Sequence, residues 1–275
     1  MRFRIQFQLS GKNQKLPLNY QYPISAWVYK VLSKADTDFT NMLHNHGYQL
    51  ENGKTFKLFT FSKLNFPKHT WKIIPKSDRM NIWARKAWIT VSFQLPEQSE
   101  KFIMGLFKEQ KAFFGDKISG IYLEVESVEA LKDVEIGRLG DVEIGKCLNV
   151  KMRTVTAIVL GVDIEGDDNE QYVSPLHPEY KVLFLKNLLD KYEATGKKGV
   201  SIEDLDFVVG KISAKTTMQT IKAFTPAETK VRGYNYEFEL TASKEVLEVG
   251  LNSGFGSMCS LGFGFCEVVK QDLRN

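Results

Sequence analysis

Two titratable side chains lie off the apolar stripes of two consecutive helices that the sequence predicts. Apolar residues recur with helical spacing over 24–32 and again over 39–43. At about 100° per residue, Tyr29 and His44 each lie about 140° from the first residue of their stripe, whereas His46 falls on the stripe. A phenol and an imidazole are side chains that general acid–base catalysis can use. We therefore expect His44 to project from the core and His46 to be buried or half-buried, although a lone surface histidine is more often a bystander.

The densest glycine pattern lies near the end of the chain, where residues 254–264 read GFGSMCSLGFG. This segment is not a P-loop, because no Gly-Lys-Ser/Thr follows, and Cys259 replaces the third glycine of a dinucleotide-binding fingerprint. Glycines at this density let a backbone approach a phosphate or another chain closely and expose N–H donors. A tight turn into the last strand is the alternative, but two GxG pairs favour binding. The glycines concerned are Gly254, Gly256, Gly262 and Gly264.

Basic residues concentrate in the first hundred residues, which carry 15 basic and 6 acidic side chains, whereas the whole chain has a net charge of +4. Between residues 54 and 86, lysines and arginines alternate with phenylalanines and tryptophans. Single-stranded nucleic acid binds such a pattern, because cations bind its phosphates and its bases stack on aromatic rings. A solvated basic face over an aromatic core accounts for the pattern equally well.

The sequence gives little support to metal chemistry or to a protein nucleophile. The dense acidic cluster over 163–170 lacks the glycine and the bidentate glutamate of a calcium loop, which favours a solvated hairpin tip. The histidines have no zinc spacing, and the three cysteines (Cys147, Cys259 and Cys266) form no disulfide framework or metal motif. No cysteine has a histidine close in sequence, so a cysteine nucleophile is not indicated. We predict no metal and no cofactor.

The elements that must position these side chains follow a βαββαβ order in the first half. Asp36 or Thr37 caps the second of two amphipathic helices, which ends at Gly47, and Pro96 opens a third helix. The strands that the alternation predicts are 2–9, 56–64, 82–95 and 118–128. This order is that of a ferredoxin-like or RRM-like domain.

The second half follows a similar order of predicted strands and helices. One helix is predicted over 177–194, and Ser243 caps another that runs to about residue 251. The predicted strands are 150–162, 207–214, 218–224, 234–240 and 261–269. Between the halves, residues 133–145 repeat DVEIG and indicate an irregular linker or a hairpin.

We therefore predict an α+β protein of two tandem ferredoxin-like (RRM-like) βαββαβ domains, with the glycine-rich loop near the C-terminus. The predicted bounds are 1–135 for the N-terminal domain, 136–148 for the linker and 149–275 for the C-terminal domain.

The composition excludes several classes of protein. Hydrophobic residues make up 43% and charged residues 25%, close to the globular average, which excludes a disordered or low-complexity chain. No apolar run approaches the ~18 residues that span a bilayer, and the alternating N-terminus lacks the apolar core of a signal peptide. With sparse, unpatterned cysteines, we expect a cytoplasmic protein without a membrane segment.

Several segments together resemble one family. The strand RFRIQF, the segments LPLNYQYPISAWVYKVL, LHNHG and KLFTFS, and the paired glycine motif are similar to CRISPR-associated endoribonucleases that process precursor CRISPR RNA. The resemblance spans nearly the whole chain. It implies two ferredoxin-like domains and metal-independent cleavage of repeat RNA by its own 2′-hydroxyl, which leaves 5′-hydroxyl and 2′,3′-cyclic phosphate ends.

The resemblance also implies site residues and partners. In the family a tyrosine of the first helix, a histidine of the LHNHG-like segment and a lysine opening the KLFTFS-like strand carry the chemistry. These positions are Tyr29, His44 and Lys57, with His46 as the fallback for His44. Repeat RNA is the implied partner, and a CRISPR effector complex and a homodimer stay open. A non-catalytic subunit that holds guide RNA in an effector complex is the alternative function.

RNA contacts are expected from both domains, through lysines of the basic stretch, basic residues of the second domain and the four glycines. The candidates are Lys54, Lys63, Lys68, Lys72, Lys211, Lys215, Lys222, Lys230, Arg232, Gly254, Gly256, Gly262 and Gly264.

Overall fold

A computed structural model describes the fold over most of the chain. The described residues are 1–11, 14–132, 143–144, 147–162, 171–214, 216–222 and 225–269. The acidic hairpin tip predicted over 163–170, most of the linker predicted over 136–148, and Lys215 lie outside these ranges.

The N-terminal half begins with the predicted alternating strand, in which Phe3, Ile5 and Phe7 are buried whereas Arg4 and Gln8 are exposed. Side chains of a strand point alternately to opposite faces, so one face of this strand lies on the core. The elements of this half are β1 (Arg2–Leu9), β2 (Gln14–Pro17), α1 (Gln21–Ala35), α2 (Thr37–Asn45), β3 (Tyr48–Gln49), β4 (Thr55–Phe56), β5 (Phe59–Phe61), β6 (Trp71–Ile73), β7 (Arg79–Ile82), β8 (Lys86–Phe93), α3 (Pro96–Lys108), β9 (Lys111–Gly115) and β10 (Gly120–Leu131).

A five-stranded antiparallel sheet in the order β5-β8-β1-β10-β9 carries this half. The first four strands have the ferredoxin-like arrangement, and β9 extends one edge. Trp27 of α1 meets the rings of Phe7, Phe102 and Phe114 edge-on, at centroid distances of 5.5, 6.0 and 5.9 Å. Edge-to-face contact is a favoured geometry for aromatic rings, so Trp27 is a centre of this core.

The second half contains the elements β11 (Glu143–Ile144), β12 (Cys147–Thr154), β13 (Gly161–Val162), β14 (Gln171–Tyr172), α4 (Tyr180–Glu193), β15 (Asp206–Ile212), β16 (Thr217–Ile221), β17 (Thr229–Gly233), β18 (Tyr236–Ser243), α5 (Lys244–Ser253) and β19 (Cys266–Val268). Its main sheet has the order β15-β18-β12, and β19 and β11 both pair with the other edge of β12. This again is the ferredoxin-like arrangement. The predicted α+β class with two such units is confirmed, and the domain bounds stay predictions.

The strand predicted over 82–95 is wrong, because it is two strands in different sheets. β7 ends at Ile82 and joins a separate sheet of order β2-β7-β6, whereas β8 begins at Lys86 in the main sheet. Apolar alternation continues through the turn between them, so the pattern alone did not show the break. The strand predicted over 56–64 is likewise divided into β4 and β5, which lie in different sheets, and Leu58 between them has positive φ. The strands β2, β3, β6, β9, β14 and β17 were not predicted.

Two further strand predictions are too long for one shared reason. β12 stops at Thr154, and the residues after it bond to the glycine-rich segment: Val159 O accepts from Ser257 N, and Ala157 O from Gly264 N. The strand predicted over 261–269 is reduced to β19, because Gly264 has φ of 70°, outside the range of a strand.

The helix caps were predicted correctly. Asp36 caps α2 by accepting a hydrogen bond from Phe39 N at 2.9 Å, and Ser243 caps α5 by accepting from Val246 N at 3.4 Å. Lys101 of α3 donates to Asp36 at 2.5 Å, which lowers the pKa of that carboxyl group. None of the helices in the described part of the chain combines the length and apolar character that crossing a bilayer requires.

Gly105 of α3 lies where that helix crosses α1, and it generates a prediction about stability. A Cβ atom at Gly105 would lie 1.9 Å from Val31 O. Exchanging glycine for alanine in a helix ordinarily stabilises it by about 1 kcal/mol. We expect Gly105→Ala instead to lower the free energy of unfolding by about 1–3 kcal/mol, because the helices must move apart. Urea unfolding measures this, with Met104→Ala on the exposed side as control. An unchanged or higher midpoint for Gly105→Ala would contradict the close crossing.

Candidate active site

The two titratable side chains that the helix pattern singled out meet in the structure. The rings of Tyr29 and His44 lie 5.0 Å apart between centroids, at an interplanar angle of 80°. Asp36 alone separates α1 from α2, and the two helices pack against each other, so the outward positions of both helices converge on one side. A phenol and an imidazole from two consecutive helices therefore lie side by side.

Tyr29 is half-buried, and its ring also packs edge-on against Phe59 at 5.5 Å. Burial raises the pKa of Tyr29 to about 12, and a side-chain hydrogen bond with Ser260 acts in the opposite direction. A phenol with this pKa keeps its proton at neutral pH. Tyr29 is therefore suited to donating a proton and not to accepting one.

Lys57 completes the cluster from the end of the β3–β4 hairpin. Its Nζ donates to the backbone oxygen of His44 at 2.9 Å, and burial lowers its pKa. Gly47 leaves room for Lys57 to approach the end of α2, because a Cβ atom at Gly47 would lie 2.6 Å from Phe56 O and 3.2 Å from Lys57 Nζ. Leu58, directly after Lys57, has φ of 53°, and such strained backbone is common at functional sites.

His44 itself is exposed, and its Nδ1 lies 3.1 Å from Asn45 Oδ1. An amide oxygen only accepts hydrogen bonds, so this contact suits the imidazole tautomer with its proton on Nδ1, in which Nε2 is an acceptor. A neutral imidazole with a free acceptor nitrogen can take a proton from a substrate.

The prediction that His46 is buried or half-buried is wrong, since its side chain is exposed. The last residue of α2 is Asn45, and His46 is its C-cap. The last buried residue of α2 is Leu43, so the part of the helix that packs on the core ends before His46. Its role as a fallback for His44 stays a prediction.

The glycine segment, residues 254–264, runs against the N-terminal half and behind Tyr29. Gln21 donates to Gly262 O at 2.8 Å, Ser25 to Ser260 O at 2.7 Å, and Thr60 to Phe263 O at 2.9 Å. Gln21 and Ser25 belong to α1, which carries Tyr29, and Thr60 belongs to β5, which begins two residues after Lys57. The glycine segment is therefore bonded to both elements.

All four glycines of the segment are buried, with φ between 70° and 89°. Only glycine adopts such φ values without strain. A Cβ atom at Gly262 would lie 2.5 Å from the ring of Phe61, and one at Gly256 2.5 Å from Val159 O. The expected close approach of the backbone is therefore made to this chain's own residues. Contact of the glycines with RNA stays a prediction.

Lys191 of α4 is a site residue that the sequence reasoning missed. It is 3% exposed, and its Nζ donates to Gly254 O and Gly256 O, both at 2.6 Å, and to Cys259 Sγ at 3.1 Å. One signal was available: Lys191 follows Phe184 and Leu188 at helical spacing, so a lysine occupies the apolar stripe of α4. A charged side chain in such a position must find polar partners.

The predicted phosphate contacts are spread over both domains. Lys54 is bound to Asp190 of α4 at 2.5 Å, and burial lowers the pKa of Lys63. Lys68, Lys72, Lys211, Lys222, Lys230 and Arg232 are exposed, and so are Lys54 and Lys63. Trp71 and Trp83, close to Lys68 and Lys72, are 43% and 46% exposed, which suits base stacking. Phe59 and Phe61 of the same stretch are core residues. Among the described residues, no three metal-ligating side chains come together as a metal site.

Two family models match most of the chain. The model described as "CRISPR-associated protein Cas6, N-terminal" matches residues 15–128, and the one described as "CRISPR associated protein Cas6, C-terminal" matches residues 143–268. A CRISPR-associated endoribonuclease-like protein Cas6 of Pyrococcus furiosus is 25% identical, covering 98% of this chain and 100% of that protein. A CRISPR-associated endoribonuclease Cas6 of Methanocaldococcus jannaschii is also 25% identical, covering 99% and 94%.

Solved structures share the fold over nearly the whole length. A Cas6-related protein from Pyrococcus furiosus superposes with a TM-score of 0.78 at 22% identity, covering 98% of this chain and 99% of that one. A RAMP protein that binds different RNA substrates superposes with a TM-score of 0.75 at 20% identity and the same coverage. With both halves matched by models of one family and relatives aligned from end to end, the chain belongs to the Cas6 family of CRISPR-associated proteins.

Proposed function

We propose that this protein is an endoribonuclease that cuts CRISPR repeat RNA to release guide RNAs, with the catalytic residues in the N-terminal domain, residues 1–135. The observation that carries the proposal is the cluster in which the Tyr29 ring lies 5.0 Å from the His44 ring and Lys57 Nζ donates to His44 O. Relatives that align along the whole chain are named endoribonucleases, and a fold neighbour binds RNA, which supports processing of CRISPR RNA.

The proposed reaction uses the RNA's own 2′-hydroxyl as nucleophile. His44 Nε2 takes the 2′-hydroxyl proton, the freed oxygen forms a bond to the neighbouring phosphorus, and the bond from phosphorus to the 5′-oxygen breaks. Tyr29 gives its proton to that leaving oxygen. The products are a 2′,3′-cyclic phosphate and a 5′-hydroxyl, so no water and no metal enters the balance. Each proton transfer contributes ~10²–10⁴-fold to the rate.

Lys57 has an electrostatic role in this proposal. An ammonium group has three N–H donors, and one is bound to His44 O, so two remain for phosphate oxygens. Negative charge grows on these oxygens in the transition state, where an already positioned cation stabilises it most. The bond to His44 also fixes the lysine beside the base.

The exchange His44→Ala separates catalysis from binding. We expect the single-turnover cleavage rate of a cognate repeat RNA to fall by ~10²–10⁴-fold, because the base is lost, with affinity nearly unchanged. His46→Ala is the matched control, since it removes an exposed histidine two residues away and should cut normally. Cleavage at the wild-type rate by His44→Ala would assign the chemistry to another residue, with His46 as the first candidate. Binding of repeat RNA without any cleavage by the wild-type protein would instead leave it as a non-catalytic RNA-binding subunit.

The acid and base roles can be told apart with a sulfur-substituted RNA. In an RNA whose 5′-oxygen at the cut is replaced by sulfur, the leaving thiolate needs no proton. We expect Tyr29→Phe to cut normal RNA ~10²–10⁴-fold more slowly and to regain most of the rate on the sulfur RNA, whereas His44→Ala should not regain it. Rescue of His44→Ala in place of Tyr29→Phe would reverse the two roles.

The source of the nucleophile has its own test. A repeat RNA with one deoxynucleotide directly upstream of the cut should bind almost as well, because one hydroxyl contributes only ~0.5–1.5 kcal/mol, but should not be cut. Unmodified RNA should be cut in excess EDTA and give a 5′-hydroxyl. Loss of cutting on chelation with rescue by magnesium, or a product with a 5′-phosphate, would mean that metal-activated water attacks.

A further inference from the structure

A groove leads away from the candidate active site along the boundary between β4 and α4. It consists of two adjoining cavities of about 300 and 550 Å³, which share Thr55, Phe56, Asn187 and Ser257 as lining residues. Lys57 lines the smaller cavity. We call these two cavities the β4–α4 groove. Volumes of this size are typical of sites that hold small organic groups.

The groove is positively charged among its described lining residues, which include four lysines and no carboxylate. Two of the lysines are already engaged, Lys54 with Asp190 and Lys191 with the glycine carbonyls. Lys57 faces the active site, and Lys186 lies at the far end. Lys186 is exposed and forms no ion pair with another described residue. A phosphate that follows the scissile one along an RNA strand would find a free cation there.

Asn187 places a hydrogen-bond acceptor without a donor at the groove. Its Oδ1 atom is buried and has no hydrogen-bond donor among the described residues, although the side chain lines both cavities. A buried acceptor without a donor costs ~1–3 kcal/mol, which a ligand that brings a donor would recover. RNA offers two such donors, the ribose 2′-hydroxyl and the amino groups of the bases.

Phe56 supplies the apolar surface of the same groove. It is half-buried and lines both cavities, between Thr55 and Lys57. Bases of single-stranded nucleic acid stack on aromatic side chains, with an effect of ~1–3 kcal/mol per base. A cation, an unsatisfied acceptor and a ring within one groove are together the contacts that one nucleotide needs.

We propose that the β4–α4 groove holds the nucleotide next to the scissile phosphate as single strand, with its phosphate on Lys186, its base against Phe56 and a donor group on Asn187 Oδ1. This rests on the proposed function, since it takes RNA as the substrate. The contact with Asn187 makes one nucleotide beside the cut a determinant of specificity. Lys57 then joins the groove to the reacting phosphate.

The test for Asn187 is a coupling experiment on binding alone. The RNA is a repeat made uncleavable by one deoxynucleotide upstream of the cut, so the measured quantity is the Kd. Single changes then remove the 2′-hydroxyl of the downstream nucleotide, or a base amino group on either side. We expect one of these changes to weaken wild-type binding about 5–10-fold and to have no further effect on Asn187→Leu, which lacks the acceptor but fills similar space.

The two RNA donors are distinguished by which change couples to Asn187. Coupling with the 2′-hydroxyl assigns the ribose, and coupling with an amino group assigns the base. If no change couples, the proposal is overturned. This failure differs from failure of the proposed function, because cleavage of unmodified RNA by the wild-type protein is measured separately.

The test for Lys186 uses a control on the same helix. Lys186→Ala should reduce the slope of log Kd against log salt by ~0.7, the value for one phosphate contact of a single strand. Lys181→Ala should leave the slope unchanged, because Lys181 is already paired with Asp206 at 2.5 Å and lies outside the groove. An unchanged slope for Lys186→Ala would overturn the phosphate contact.

Discussion

The burial of one ammonium group, that of Lys191, holds the start of the glycine segment against α4, and later residues of the same segment join the two halves. A charge removed from water needs hydrogen-bond partners, and Gly254 O and Gly256 O provide them at 2.6 Å. Both carbonyls are available because their glycines adopt positive φ, at 86° and 76°. Side chains at these positions would strain the backbone and collide with their neighbours. The buried lysine and the two glycines therefore depend on each other: the lysine needs their carbonyl oxygens, and the positive φ values need glycine.

The rest of the glycine segment connects the Lys191 contacts to the candidate active site. Ser260, within the segment, accepts from Ser25 with its carbonyl oxygen and is hydrogen-bonded to Tyr29 through its side chain. Gly262 O accepts from Gln21 at the start of α1. The three side chains of the candidate site all come from the N-terminal half, yet α1 and the phenol are held by bonds to the C-terminal half. The buried glycine segment is therefore connected to the candidate site through these bonds.

Partial burial shifts the pKa values of Tyr29 and Lys57 in opposite directions. Low polarity disfavours any charged form, so it raises the pKa of Tyr29 and lowers that of Lys57. The phenol is therefore held neutral and the ammonium group is partly desolvated, which suits the proton-donating and phosphate-binding roles proposed for them. His44 remains exposed beside them.

Features that arise from contacts close in the chain could be predicted from the amino-acid sequence. The alternation of β1, the caps Asp36 and Ser243 and the opening of α3 at Pro96 were readable because each depends on neighbours within a few residues. The angular offsets of Tyr29 and His44 were readable for the same reason. Lys57 came from family resemblance, because a single lysine has no periodicity of its own.

Contacts between residues far apart in the chain became visible only in the folded structure. The bond from Gln21 to Gly262 joins residues 241 positions apart, and that from Lys191 to Gly256 joins residues 65 apart. No local pattern encodes such pairs, so the glycines indicated a close backbone approach without indicating to what. Local periodicity fixes the face of an element, and packing between elements fixes what that face contacts.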